Sequence, residues 1–242
     1  MKKIALMIVL LIICIAIGTF GVYKIYSEKS EVQQAEGLAA AYTDYSPAVS
    51  FDNTKTYEEI FYDFSAKLKR LKKINNHIVG WIYIPLTNID YPVVKGEDNS
   101  YYLTHTPDGS YSAAGSIFVD ARGFNEDNTI IYGHNMGSSS NIMFHDITNF
   151  SQSEFFNNVQ WGYFITDNVI VRLNIFAYSL TKPLSGFYSD NVALDFIKEN
   201  SVNYREPAVQ GTMYTLSTCA YDFDDARAVL SCIGEKVYVL NN

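Results

Sequence analysis

The side chains best suited to chemistry are a cysteine, a histidine and an arginine, each set at the edge of an apolar run. Cys219 closes a stretch that opens at Met213 and ends Thr215-Leu216-Ser217-Thr218-Cys219. Arg227 heads the next run, Ala228-Val229-Leu230-Ser231-Cys232-Ile233. Upstream, Ile130-Ile131-Tyr132 leads straight into Gly133-His134-Asn135-Met136. A thiol that attacks an amide needs a base to make or share its proton and a fixed donor to hold the oxyanion. These three residues supply those parts if the runs are strands lying side by side.

Each residue also has a plainer reading. A buried cysteine is commonly a small core residue, and a lone loop histidine is commonly a hydrogen-bonded surface group. Arg227 shares a strand face with Asp225 and can simply pair with it. What favours chemistry is the occurrence of all three, with Cys219 just before the polar loop Tyr221-Asp222-Phe223-Asp224-Asp225. An ordinary thiol has a pKa of about 8.5 and an ordinary imidazole about 6.5. Catalysis therefore needs either a shifted thiol or a minor thiolate–imidazolium population, and both remain open. Of the other cysteines, Cys14 falls in an N-terminal apolar stretch, and Cys232 can pair with Cys219 only in an oxidising compartment. Strand parity sets Cys232 on the side away from Arg227, which makes it a buried, inert thiol. His77, His105 and His145 show no metal-ligand spacing. Asp222, Asp224 and Asp225 read as a solvated turn, and no metal or cofactor is expected.

Tyr-Gly-His-Asn-Met at 132–136, Thr-Leu-Ser-Thr-Cys at 215–219 and Asp-Asp-Ala-Arg at 224–227 resemble the sortases, cysteine transpeptidases of Gram-positive cell surfaces. The resemblance runs from about Phe51 to the C-terminus. A helical segment before the barrel, and a helix between the strand preceding Pro183 and the Cys219 strand, are similar to class B in particular. The resemblance implies that His134, Cys219 and Arg227 are catalytic. It also implies cleavage after Thr in a C-terminal sorting signal, through a thioacyl-enzyme resolved by an amine of a peptidoglycan precursor or cross-bridge. Substrate contacts carried over by the resemblance are Asn99 and Leu103, in Lys95-Gly96-Glu97-Asp98-Asn99 and the following Tyr101-Tyr102-Leu103, together with Ser217. Phe187 and Tyr188 match an aromatic wall, with core packing as the alternative. The partners so implied are sorting-signal-bearing surface proteins and a wall amine. Other wall-directed cysteine enzymes fit less well, since L,D-transpeptidases carry Ser/Thr-His-Gly-Cys and papain-like peptidases place Cys first. A pilus-type sortase usually has an Asp-Pro-aromatic lid and a second C-terminal span, and neither is expected here. A non-catalytic surface-binding domain with a structural Cys is the rival from another class.

The elements that must position these residues are mostly short strands. β-rich runs at 80–85, 90–94, 115–120, 128–132, 162–166, 169–178, 212–219, 226–233 and 236–240 are split by Gly, Asn and Asp turns. Many short strands of this kind predict a closed barrel or a sandwich; the resemblance implies an eight-stranded sortase-type β-barrel. Residues 56–76 are predicted helical, because Tyr57, Ile60, Phe61, Phe64, Leu68, Leu71 and Ile74 recur at spacings of three and four. Thr56 and Glu59 fit a capping box. Short peripheral helices are expected at 141–150, 153–158 and 192–200.

At the N-terminus, Met1-Lys2-Lys3 precedes an uncharged stretch from Ile4 to Val22. At about 1.5 Å per residue such a helix nearly spans a hydrocarbon core of about 30 Å, and no small-x-small cleavage site directly follows it. The expected organisation is a cytoplasmic tail at 1–3, a transmembrane anchor at 4–22, a stalk at 23–50 and a catalytic domain at 51–242. That places the domain on the extracellular face of the membrane. Composition of 48% hydrophobic and 15% aromatic residues excludes a disordered tail. A net charge of −8 argues against nucleic-acid binding, which needs a basic face.

Overall fold

Alternation along the first strand sets the architecture. β1 (Ile78–Tyr83) buries Ile82 on one face and Trp81 and Tyr83 on the other, because successive strand residues point to opposite sides. The first face fills a barrel; the second lies under a helix. The computed structural model describes residues 2–51, 55–125, 127–137, 140–183 and 185–240, without the side chains of 2–11, 28, 31, 32, 34, 35, 38, 39 and 185.

The other strands are β2 (Asp90–Val94), β3 (Ile117–Val119), β4 (Asn128–Tyr132), β5 (Trp161–Ile165), β6 (Val169–Thr181), β7 (Asn203–Tyr204), β8 (Met213–Cys219) and β9 (Arg227–Val239). They pair in the order β5-β1-β2-β3-β4-β8-β9-β6, and β5 pairs in turn with β6. That closure makes the expected eight-stranded barrel, with β7 appended to β6. Pairs β2–β3 and β4–β8 are parallel and the rest antiparallel. Ile131, Leu173, Leu216 and Leu230 are among the fully buried residues of the interior. The runs expected at 226–233 and 236–240 form one strand, β9, continuous through Gly234. A Cβ there would lie 2.4 Å from the Tyr214 ring, so glycine lets a neighbouring side chain close over the strand.

Outside the barrel, α3 (Tyr57–Ile74) opens on the expected capping box: the Glu59 amide donates to Thr56 Oγ1 and the Thr56 amide to Glu59 Oε2. Ile60, Phe61, Phe64, Leu68 and Leu71 are buried, and Phe64 meets Trp81 edge-on at 6.0 Å. Of the short peripheral helices, 141–150 is instead a 3-10 segment at His145–Ser151, because helical periodicity is brief there. α4 (Ser153–Asn158) and α6 (Leu194–Glu199) lie where expected, and α5 (Ser185–Tyr188) is a single additional turn.

The N-terminal segment departs from a simple stalk. α1 (Lys2–Tyr42) is one long helix, and α2 (Ala48–Phe51) follows a tight turn. Tyr42 is buried, and Tyr45, Ala48 and Phe51 pack on the same outer cluster as α3. Phe51 stacks on Tyr163 at 3.8 Å between centroids. Lys67 Nζ donates to the Ser46 carbonyl at 2.9 Å. Packing on the outer layer thus reaches back to Tyr42, inside the expected stalk, because these aromatics find an aromatic outer layer. The expected anchor, 4–22, lies within α1. Part of it falls outside the described side chains, and among the described residues no helix is long and apolar enough to cross a membrane.

Candidate active site

Register brings the three reactive side chains to one rim. β8 and β9 are antiparallel, and Cys219 and Arg227 are direct cross-strand partners. β4 runs parallel to β8 with Tyr132 opposite Ser217, and the Gly133 amide donates to the Ser217 carbonyl at 3.2 Å. His134 follows immediately, beside the end of the Cys219 strand. Gly133 has no room for a side chain: a Cβ would lie 2.3 Å from Ile117 and 2.8 Å from the Phe144 ring. That close approach lets the chain turn His134 out at the strand end. Alternation then sorts the faces. Tyr214 and Leu216 of β8 point into the barrel, while Ser217 and Cys219 point outward.

His134, Cys219 and Arg227 line a single cleft of about 390 Å³. His134 Nε2 lies 2.8 Å from the Leu103 carbonyl. A carbonyl only accepts, so that nitrogen carries a proton, and in the neutral ring Nδ1 is the free base. Arg227 donates to the backbone carbonyls of Asp225 and Ala226 at 3.2 and 3.0 Å. The Asn135 side chain, buried, donates to the Cys219 carbonyl at 2.9 Å and accepts from the Gly137 amide. The Tyr221 hydroxyl donates to the Asn135 carbonyl at 2.6 Å. Loop 134–137 and the end of β8 are thus braced against each other. Among the described residues the three cysteines are free. Cys232 faces the interior, and complete burial pushes its thiol well up. No group of three or more His, Cys, Asp or Glu side chains converges as a metal site among the described residues.

The cleft walls include Asn99, Leu103, Tyr188 and Ser217. The Tyr188 hydroxyl and Ser217 Oγ are 2.9 Å apart. Burial raises the Tyr188 pKa, opposed by the Ser217 hydrogen bond and the Arg227 charge. Phe187 is not brought to the wall. It is buried against Phe196, with centroids 4.9 Å apart, because the turn of α5 sends adjacent side chains in different directions. Its carbonyl accepts from Asn128 Nδ2, which also donates to the Ser189 carbonyl. Sequence reasoning missed Asp120 and Arg122, whose contacts run behind the wall. The available signal was an Asp-x-Arg pair directly after the apolar run Ile117-Phe118-Val119.

No family model matches the chain. Individual proteins do. It is 34% identical over 181 residues to Sortase B of Listeria monocytogenes, a match covering 68% of this chain and 72% of that one. Clostridium perfringens sortase B superposes with a TM-score of 0.64 at 30% identity, over 69% of this chain and 99% of that one. A Staphylococcus aureus sortase B–substrate complex gives a TM-score of 0.68 at 25% identity, over 88% and 99%. The chain belongs to the class B sortases, which are cysteine transpeptidases.

Proposed function

We propose that this sortase cleaves a C-terminal sorting signal after Thr and transfers the protein to an amine of peptidoglycan. Cys219 passes its thiol proton to His134, its Sγ attacks the Thr carbonyl, and Arg227 holds the oxyanion that forms. As the C–N bond breaks, His134 gives its proton to the departing amine, leaving a thioester on Cys219. An incoming wall amine attacks that thioester and loses a proton to His134, Cys219 leaves as the thiolate, and His134 returns the proton to it. Asn99, Leu103, Tyr188 and Ser217 contact the signal. No cofactor enters the cycle. The observation that carries this reading is the cross-strand pairing of Cys219 with Arg227 in the cleft that also holds His134.

The same proposal includes an N-terminal membrane anchor at 4–22, with the catalytic domain on the extracellular face. It is supported by the uncharged stretch from Ile4 to Val22. The test of the chemistry is mass spectrometry of products from a panel of Thr-containing sorting peptides, with and without an oligoglycine amine. A peptide–amine adduct joined at Thr supports the reading. Cleavage elsewhere, or products unaffected by the amine, counts against it. Protease added to intact cells should digest the domain and spare the anchor.

A further inference from the structure

Behind the cleft wall sits a buried carboxylate that the proposed cycle does not use. Asp120 is 5% exposed. Asn99 Nδ2 donates to its Oδ2 at 3.0 Å, as does the Tyr132 hydroxyl at 3.0 Å. Arg122 donates to Oδ1 from Nε at 2.8 Å and from its amide at 3.0 Å. The guanidinium then reaches onward, with Nη1 donating to the Tyr188 carbonyl at 3.0 Å and to Asp190 at 3.1 Å. Tyr188 in turn meets Ser217 through its hydroxyl. One carboxylate–guanidinium pair therefore ties together wall segments that are far apart in the chain. Burial raises the Asp120 carboxyl, but the Arg122 and Tyr132 bonds outweigh it and hold it below the ordinary range.

Asn99 is fixed most tightly. An ionised carboxylate can only accept, so Nδ2 must face Asp120, and Oδ1 accepts from the Ala121 amide at 2.7 Å. A flipped amide would set oxygen against carboxylate and N–H against N–H. Among the described residues, one N–H of Nδ2 remains uncommitted. We propose that Asp120 and Arg122 are positioning residues of the acyl-donor cleft, orienting Asn99 to present that N–H to a carbonyl of the bound peptide and holding the Tyr188 turn opposite it. This rests on the reading of the cleft as the sorting-peptide site.

The test uses the full chain in detergent and an internally quenched peptide with a central Thr, the fastest-cleaved of a panel. Asp120→Asn removes the acceptor-only partner and leaves the Ala121 amide alone to orient Asn99. KM should rise about tenfold, the loss expected for a hydrogen bond, while kcat stays within about threefold and iodoacetamide alkylates Cys219 at the parent rate. Asn99→Ala should raise KM similarly, and the double variant little more than either, because both delete one interaction. Arg122→Lys keeps the charge without the planar fork. It should raise KM about threefold, and it carries the test if circular dichroism shows Asp120→Asn misfolded. If these variants change kcat or melting temperature with KM unmoved, or if the double variant is additive, the proposal is overturned. If Asn99→Ala raises KM but Asp120→Asn and Arg122→Lys do not, only the positioning role falls. If Asn99→Ala leaves KM at the parent value, the reading of the cleft falls and the positioning role falls with it.

Discussion

Arg227 gives two hydrogen bonds to backbone carbonyls, and among the described residues its guanidinium pairs with no carboxylate. The contact with Asp225 goes to the carbonyl of a residue in the left-handed region, at φ 61°, and not to its side chain. A role limited to neutralising Asp225 therefore has no ion pair to rest on. Arg227→Lys separates charge from geometry, since lysine keeps the charge but presents a single ammonium on a flexible stem. If Arg227 holds the developing oxyanion, peptide cleavage should fall by about 10²–10³-fold, with an unchanged circular dichroism spectrum. A rate within about threefold of the parent would remove Arg227 from the catalytic set. The two barrel cysteines make a matched pair of probes. Cys219→Ala should abolish cleavage and thioacyl-enzyme formation in a folded protein, while Cys232→Ala should keep turnover and lose a little stability to a small cavity. Loss of activity from the Cys232 change alone, with the fold intact, would reassign the nucleophile.

The segment from Tyr42 to Phe51 is where element boundaries matter most. Its aromatics seal the outer cluster against α3 and β5, so two truncations should behave differently. Deletion of residues 1–41 should leave the urea midpoint near that of the full chain. Deletion of 1–51 exposes surface on Tyr163 and α3 and should lower stability by about 2–4 kcal/mol, from the loss of one or two large buried side chains. Equal midpoints would show that the segment only rests on the barrel. This boundary was hard to read because Tyr42, Tyr45 and Phe51 stand in a small-residue stretch with no helical or strand period of their own. α3 was legible for the opposite reason, since its cap and its apolar stripe are local. The gathering of His134, Cys219 and Arg227 at one cleft was legible too, because each stands where an apolar run meets polar loop sequence. The Asp120 contacts were not. Asn99 and Tyr132 meet Asp120, and Tyr188 meets Arg122, only once the barrel has closed, and nothing local marks that convergence. Phe187 and Tyr188 differ by one residue in a single turn, too short for periodicity to tell wall from core.

Across the whole molecule, Asp90 joins the N-terminal segment, the helix layer and the barrel. It begins β2 and accepts from Trp81 Nε1 at 2.6 Å and from the Ser46 hydroxyl at 2.5 Å. The Ser46 carbonyl is held in turn by Lys67 of α3. Burial raises the Asp90 carboxyl above its ordinary value, and the bonds from Ser46 and Trp81 with the Lys67 charge only partly offset it. The folded protein thus binds this proton more tightly than the unfolded chain does. Its contribution to stability is full below the unfolded pKa of about 3.9 and is lost as pH rises through the raised folded value. Asp120 has the opposite sign: its contribution is present above the unfolded pKa and fades as pH falls through its lowered one. Asp90→Asn is nearly isosteric and does not titrate. Its stability relative to the parent should therefore improve as pH rises from about 4 to 7, whatever the offset from altered hydrogen bonds. Urea unfolding of both proteins at several pH values in that range measures this directly. A stability difference that stays constant across the range, or moves against the variant, would show that burial does not govern this carboxyl.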